Sequence, residues 1–205
     1  MKLYYSPFAY SQAAHIVIKE AGLDVELLAV DLKSKRVEDG SDFNKINPKG
    51  QVATLVLDDG EILTEGPAIL LYLAGQAPQS DLMPKPESIE HYRTIEWLSY
   101  VSSELHKRLF YIIFWTDAHQ ANAAREAAPE KLIFLSNHLE NRSHLVDETF
   151  TVADAYLTWW LGLAPQAGLP LDAYPILTAY LQRQQARDSV REANEFETRK
   201  IRDGS

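Results

Sequence analysis

The chain has 205 residues, 46% of them hydrophobic, enough for one large domain or two small ones, each with its own core. Charged residues make up 24%, close to the globular average, which argues against wholesale disorder. Twenty basic against twenty-nine acidic side chains leave a net charge of −9, and no Lys/Arg cluster offsets it, so nucleic acid is not an expected partner. Cysteine is absent, which removes disulfides, thiolate metal sites and a cysteine nucleophile. The first residues, MKLYYSP, lack the apolar run of a signal peptide, and nowhere do about 18 apolar residues run together. A cytoplasmic protein without a membrane span is expected.

The first eighty residues alternate between strand and helix patterns. Lys2 to Tyr5 is a short strand stopped by Ser6-Pro7. Ser11 to Ala21 has helical spacing and Gly22 as a C-cap. Val25 to Ala29 alternates as a second strand. After a polar stretch from Lys33 to Asp42, Asn47-Pro48-Lys49-Gly50 signals a turn. Ala53 to Leu57 and Glu61 to Leu63 flank Asp58-Asp59-Gly60 and read as a hairpin, followed by a helix from about Pro67 to Ala74. Three prolines between Ala77 and Pro86 mark an extended linker and a domain boundary. Beyond it the chain reads helical: Glu87 to about Trp115, Ala123 to Leu145, Val152 to Leu163, about Tyr174 to Gln185, and a last helix near the C-terminus.

Three segments carry local chemistry. Thr151 and Asp154 have the spacing of a capping box, with Phe150 and Ala155 placed for a hydrophobic staple; this is a folding device. On the helix from Glu87, residues Leu98, Val101, Leu105, Leu109 and Ile112 form a core stripe. Ser99, Ser103, His106 and Lys107 share another face, with Glu104 at its edge. That face is either a solvated surface or one wall of a ligand cleft containing a group that titrates near neutral pH. Thr64-Glu65-Gly66-Pro67 runs directly into a helix whose N-terminus can hold a carboxylate. Glu65 either complements that dipole or pairs with a ligand's ammonium group, and Gly66 permits close backbone approach. The other histidines show no metal-ligand spacing, no glycine-rich phosphate loop is present, and Trp159 and Trp160 fit a core.

The stretches KLYYSPFAYS, INPKGQVATLVLDDG, LTEGPAILLYLA, SSELHKRL and TVADAY together resemble the glutathione transferases, and within them the bacterial beta class. They stand in family order and spacing over nearly the whole chain. The resemblance implies an α/β thioredoxin-like N-terminal domain over residues 1–80, with a mixed four-stranded sheet, and an all-α domain over 87–205. It also implies a homodimer and the attack of glutathione's thiolate on small electrophiles. Reduced glutathione is then a co-substrate, with no other cofactor and no metal. By the same resemblance Val52 pairs its backbone with the middle of glutathione, Glu65 and Gly66 hold the γ-glutamyl end, and Lys35 meets the glycine carboxylate. Ser99, Ser103, Glu104, Leu105, His106 and Lys107 contribute from the helical domain, with His106 near the sulfur.

Ser99 stands where beta-class proteins typically carry Asn, keeping a polar group with a shorter reach, and two other positions depart from the pattern more consequentially. Tyr10 stands where beta-class enzymes carry Cys, so a mixed disulfide with glutathione cannot form. The Tyr10 hydroxyl, or Ser11 beside it, either favours the thiolate by hydrogen bonding, or Tyr10 fills the sulfur pocket. Ala53 replaces the family's cis-proline. A non-proline bond strongly prefers trans, so a trans Val52–Ala53 bond, misplaced donors and weakened glutathione binding are expected. The functions to be weighed are a glutathione transferase with an atypical site and a non-catalytic protein of the same fold that binds another ligand or a protein partner. A third, a glutathione-dependent isomerase or dehalogenase, differs only in an electrophile pocket around Phe8 and Phe110 to Trp115.

Overall fold

The computed structural model describes residues 1–114 and 117–203. Their contacts divide into two compact units, Met1–Ser80 joined by the described part of Asp188–Ser205, and Asp81–Arg187.

The first unit is built on a mixed sheet. Strand β1 (Lys2–Tyr5) pairs in parallel with β2 (Glu26–Asp31) and antiparallel with β4 (Thr54–Val56). The parallel pair needs a crossover, supplied by α1 (Ser11–Ala21). This helix ends where expected, on Gly22 at φ 63°, a left-handed conformation that costs glycine nothing. Strand β5 (Ile62–Leu63) closes the hairpin with β4, and helix α2 (Gly66–Gly75) follows.

The sheet has five strands in the order β3-β2-β1-β4-β5, not the expected four. The missed strand, β3 (Arg36–Val37), has two residues inside a polar run, too few to show alternation. A turn builds it locally. Asp31 accepts from the backbone N–H and hydroxyl of Ser34 and from the N–H of Lys33, folding the chain back so that Val37 pairs with Val30.

Helices α1 and α2 pack together, and α8 (Asp188–Asp203) packs on α1. The segment expected to form a separate helical domain to residue 205 thus gives its last helix to the first unit. What fastens it is a buried polar cluster. Glu197, fully buried, meets the buried His15 Nδ1 at 3.0 Å and accepts from the Phe8 N–H at 2.6 Å and Gln12 Nε2 at 3.2 Å.

The second unit is helical: α3 (Ile89–Tyr100), a π-helical turn (Val101–His106), α4 (Lys107–Phe114), α5 (Ala118–Leu139), α6 (Val152–Leu163) and α7 (Pro175–Gln185). Helix α5 begins five residues earlier than expected because Asp117 caps it, accepting from the His119 N–H at 2.9 Å. It also ends six residues earlier, and the chain from Glu140 to Phe150 returns as a loop. Helix α6 matches its expected bounds, and every residue from Val152 to Leu161 is buried, as for a helix surrounded on all sides. Its capping box is present, with Thr151 N–H and Oγ1 both 2.9 Å from Asp154 Oδ2.

The expected helix from Glu87 to Trp115 is helical over Ile89–Phe114, beginning two residues late because Ser88 caps it, accepting from the His91 N–H at 3.2 Å; Trp115 lies outside the described residues. Its middle widens into the π-helical turn, a local insertion often found at functional sites. Ser99 and Ser103 each return a hydroxyl at 2.9 Å to the carbonyl four residues back, which competes with the regular ladder just there. Among the described residues no helix is long and apolar enough to cross a membrane.

Candidate functional site

In the first unit the expected residues converge on the open end of the β4–β5 hairpin. Val52 leads into β4 and Glu65-Gly66 leaves β5, so the two segments lie at the same end. The Val52–Ala53 peptide bond is cis, which corrects the expectation of a trans bond. Both sides of it are tied down. Asn47 Nδ2 donates to the Gln51 carbonyl and to Thr54 Oγ1, each at 2.9 Å, and the Val52 side chain packs on Tyr4, Val30, Val37 and Phe43. Among the described residues the Val52 backbone joins no hydrogen bond, so its N–H and C=O can pair with an extended ligand.

Lys35 and Lys49 gather around this backbone. Lys35 Nζ donates to the Gly50 carbonyl at 2.7 Å, beside Val52, and keeps further donors for an anion. Lys49 Nζ lies 2.6 Å from Glu65 Oε1 and 2.9 Å from Thr64 Oγ1. Glu65 itself sits at φ 67°, a strained conformation for a residue with a side chain, held at the entrance to α2. Its carboxylate and Lys49 are both largely exposed, so a ligand's ammonium group can displace the lysine at little cost.

Tyr10 is buried at the start of α1, and its ring lies over Gly66. A Cβ built on Gly66 would stand 1.8 Å from the Tyr10 hydroxyl oxygen and 2.0 Å from Cζ. The phenol therefore fills the space above the first residue of α2, where a cysteine side chain would leave a gap. Gly66→Ala is accordingly expected to cost about 1–3 kcal/mol by overpacking, and to cost little when made in the Tyr10→Ala background, where the ring is gone. Thermal melts of the double-mutant cycle test it, and additive losses would show that the ring and the glycine are not coupled.

Ser11 makes its hydrogen bonds within the first unit. It is fully buried, and its hydroxyl both donates to the Ser6 carbonyl and accepts from the Ser6 N–H, each at 3.2 Å. These two bonds close the β1–α1 loop.

In the second unit the expected polar face splits. Ser99, Ser103 and Lys107 are exposed, and Lys107 Nζ lies 5.9 Å from the Tyr111 ring centre. Glu104 turns aside to Arg108 at 3.1 Å and Lys131 at 3.3 Å; hydrogen bonds from these two cations hold its carboxyl below the usual range. Leu105 belongs to the core.

His106 goes elsewhere, because the π-helical turn rotates it toward α6. Its Nδ1 lies 2.7 Å from the Tyr156 hydroxyl, and its ring meets Trp159 edge-on with centroids 4.7 Å apart. Burial pushes its pKa down to about 4, so it is neutral at pH 7 rather than titrating there as the sequence suggested. A proton NMR titration should show the ring changing charge near pH 4; a midpoint near 6.5 would mean that water reaches it freely.

Sequence reasoning missed the partners of these groups. Lys49 was visible only as part of a turn and Tyr156 only as part of TVADAY. Trp159 was assigned to the core, where it does lie, but its edge against His106 has no sequence signal. Of the expected electrophile-pocket residues, Phe110 and Phe114 are exposed and stack with centroids 5.3 Å apart.

Comparison with known proteins agrees with this geometry. Residues 1–75 match the family described as "Glutathione S-transferase, N-terminal domain", and residues 91–188 match "Glutathione S-transferase, C-terminal domain". Glutathione S-transferase GstA of Escherichia coli O157:H7 is 42% identical over 195 residues, covering 94% of this chain and 96% of that protein. A glutathione S-transferase from a sphingomonad, solved in complex with glutathione, is 42% identical with a TM-score of 0.92, covering 97% of this chain and 99% of the other. The bacterial beta class glutathione S-transferase of Sphingomonas chungbukensis is also 42% identical, with a TM-score of 0.91 over 96% of this chain and 98% of the other. The chain belongs to the glutathione S-transferase family.

Proposed function

We propose that this protein is a transferase that joins reduced glutathione to small electrophiles, with Tyr10 in place of the beta-class cysteine. The observation that carries the reading is the hairpin end of the first unit. There Val52 offers an unpaired peptide edge, Lys35 a cation, Glu65 an exposed carboxylate and Gly66 the start of α2. These groups match the peptide-like middle of glutathione, its glycine carboxylate, its α-ammonium group and its γ-glutamyl carboxylate in turn.

The chemistry asks little more of the protein than to favour the thiolate. The thiol loses its proton to solvent, the sulfur forms a bond to the electrophilic carbon, and the leaving group departs with its electron pair. A hydrogen bond to the sulfur lowers the thiol pKa. The proposed donors are the Tyr10 hydroxyl and the neutral His106 imidazole; Ser11 is not among them. Ser103, Glu104, Leu105 and Lys107, which follow the family pattern, and Ser99, which replaces its usual Asn, are proposed as flanking positions. The same reading makes the chain a cytoplasmic homodimer.

Turnover of an aryl halide with glutathione tests this. His106→Asn should lower kcat/KM by roughly a hundredfold to a thousandfold, as for loss of one preorganised donor, while Ser11→Ala should act mainly through stability. Saturable glutathione binding without turnover on any electrophile would favour the non-catalytic alternative instead.

A further inference from the structure

We propose that Tyr156 is a positioning residue for His106: its hydroxyl donates to Nδ1 and so keeps the imidazole proton on Nε2. This rests on the reading of His106 as a donor to the glutathione sulfur, and it names what makes that donor available.

A neutral imidazole carries one proton on either of two nitrogens, and only the protonated one can donate. Which nitrogen holds it is set by the partner of the other. Here the partner is a phenol at 2.7 Å, on a helix whose first turn is fixed by its own capping box. Imidazole nitrogen is far more basic than a phenol oxygen, and the phenol is the better donor, so the favoured arrangement is O–H donating to Nδ1. The proton then stays on Nε2. Tyr156 is only 1% exposed, which keeps water from competing for Nδ1.

Two further contacts fix the ring plane. Trp159, one turn farther along α6, meets the imidazole at an interplanar angle of 69°, and Tyr156 meets it at 83°. Both are edge-to-face arrangements, which aromatic quadrupoles prefer. From the other side, the π-helical turn Val101–His106 holds the backbone of the histidine. The ring is thus set by two elements of one compact unit, and the absence of charge on it is consistent with its burial. A cationic imidazole would donate from both nitrogens, and toward it the Tyr156 hydroxyl could only accept. Neutrality is what gives the phenol a say in the tautomer.

The test has two arms. Nitrogen-15 NMR of histidine-labelled protein reads the tautomer directly. The unaltered protein is expected to show His106 protonated on Nε2, and Tyr156→Phe is expected to show a mixture of tautomers with little change in melting temperature. An Nδ1-protonated ring in the unaltered protein overturns the proposal, and so does an unchanged tautomer in Tyr156→Phe. The first of these needs no variant to fold.

The second arm measures conjugation. Tyr156→Phe is expected to lower kcat between about tenfold and a hundredfold, by analogy with losing the group that orients a metal-bound histidine, with KM for glutathione little changed. A raised KM with unchanged kcat would make Tyr156 a structural residue and overturn the positioning role. If the tautomer shifts as expected but His106→Asn itself turns over normally, the hydrogen bond stands and the assignment of His106 to the sulfur fails. The two failures are therefore distinguishable.

Discussion

Asp154→Ala is expected to destabilise the protein by about 3–5 kcal/mol, among the larger losses a single substitution can bring. The carboxylate is fully buried and accepts four hydrogen bonds: from Thr151 N–H and Oγ1, from Leu145 N–H at 2.8 Å and from Tyr180 Oη at 2.7 Å. Alanine strands all four donors where water does not reach, and each buried unpaired donor costs about 1–3 kcal/mol. The loss is larger than that of an ordinary cap, about 1 kcal/mol, because this carboxylate also binds the loop before α6 and the ring on α7. Asp154→Asn keeps one acceptor oxygen and should recover part of it. Equilibrium denaturation of the three proteins decides the matter. A loss below about 1 kcal/mol would reduce the residue to a simple helix cap.

Glu197→Ala is expected to be comparably severe, about 3–5 kcal/mol, which in a chain of this size lowers the melting temperature by about 10 °C. Both Glu197 and His15 are fully buried, so removal of the carboxylate leaves the imidazole without its partner; His15 Nε2 already has none. The Phe8 N–H and Gln12 Nε2 lose their acceptor as well. Phe8 stands at φ 57° in the β1–α1 loop, two residues before Tyr10, and its N–H bond to Glu197 helps hold that conformation. The variant should therefore raise the KM for glutathione along with its instability. Hydrogen exchange should report early opening of α8 and of residues 6–10. Protection of those amides equal to the unaltered protein would show that α8 is held by its apolar contacts alone.

Much of the fold was legible because its signals are local. Gly22 ends α1, Asp58-Asp59-Gly60 turns the hairpin, and Thr151 with Asp154 starts α6, each through chemistry contained in a few neighbouring residues. The missed strand β3 has two residues and owes its place to a turn. The early start of α5 depends on Asp117 as its cap, ahead of the residues whose spacing reads helical.

At the site, residue types at the hairpin end were readable, since Glu65 and Gly66 precede a helix. Their partners were not, because Lys49 and Tyr10 come to them through tertiary folding, as Tyr156 does to His106. The polar face from Ser99 to Lys107 shows why spacing alone misleads. A single π-helical turn shifts the register, and His106 leaves its expected face for Tyr156 and Trp159. The Val52–Ala53 bond went against local preference, with its neighbours fixed by Asn47 from outside the dipeptide.

The central claim is that the groups around Val52, Lys35, Glu65 and Gly66 hold reduced glutathione, and calorimetric titration tests it most directly. The unaltered protein is expected to bind glutathione saturably at one site per chain. Glu65→Gln should weaken that binding by about tenfold, the loss of one partly exposed charge-assisted hydrogen bond. No saturable heat from the unaltered protein, or equal affinity in Glu65→Gln, would contradict the account.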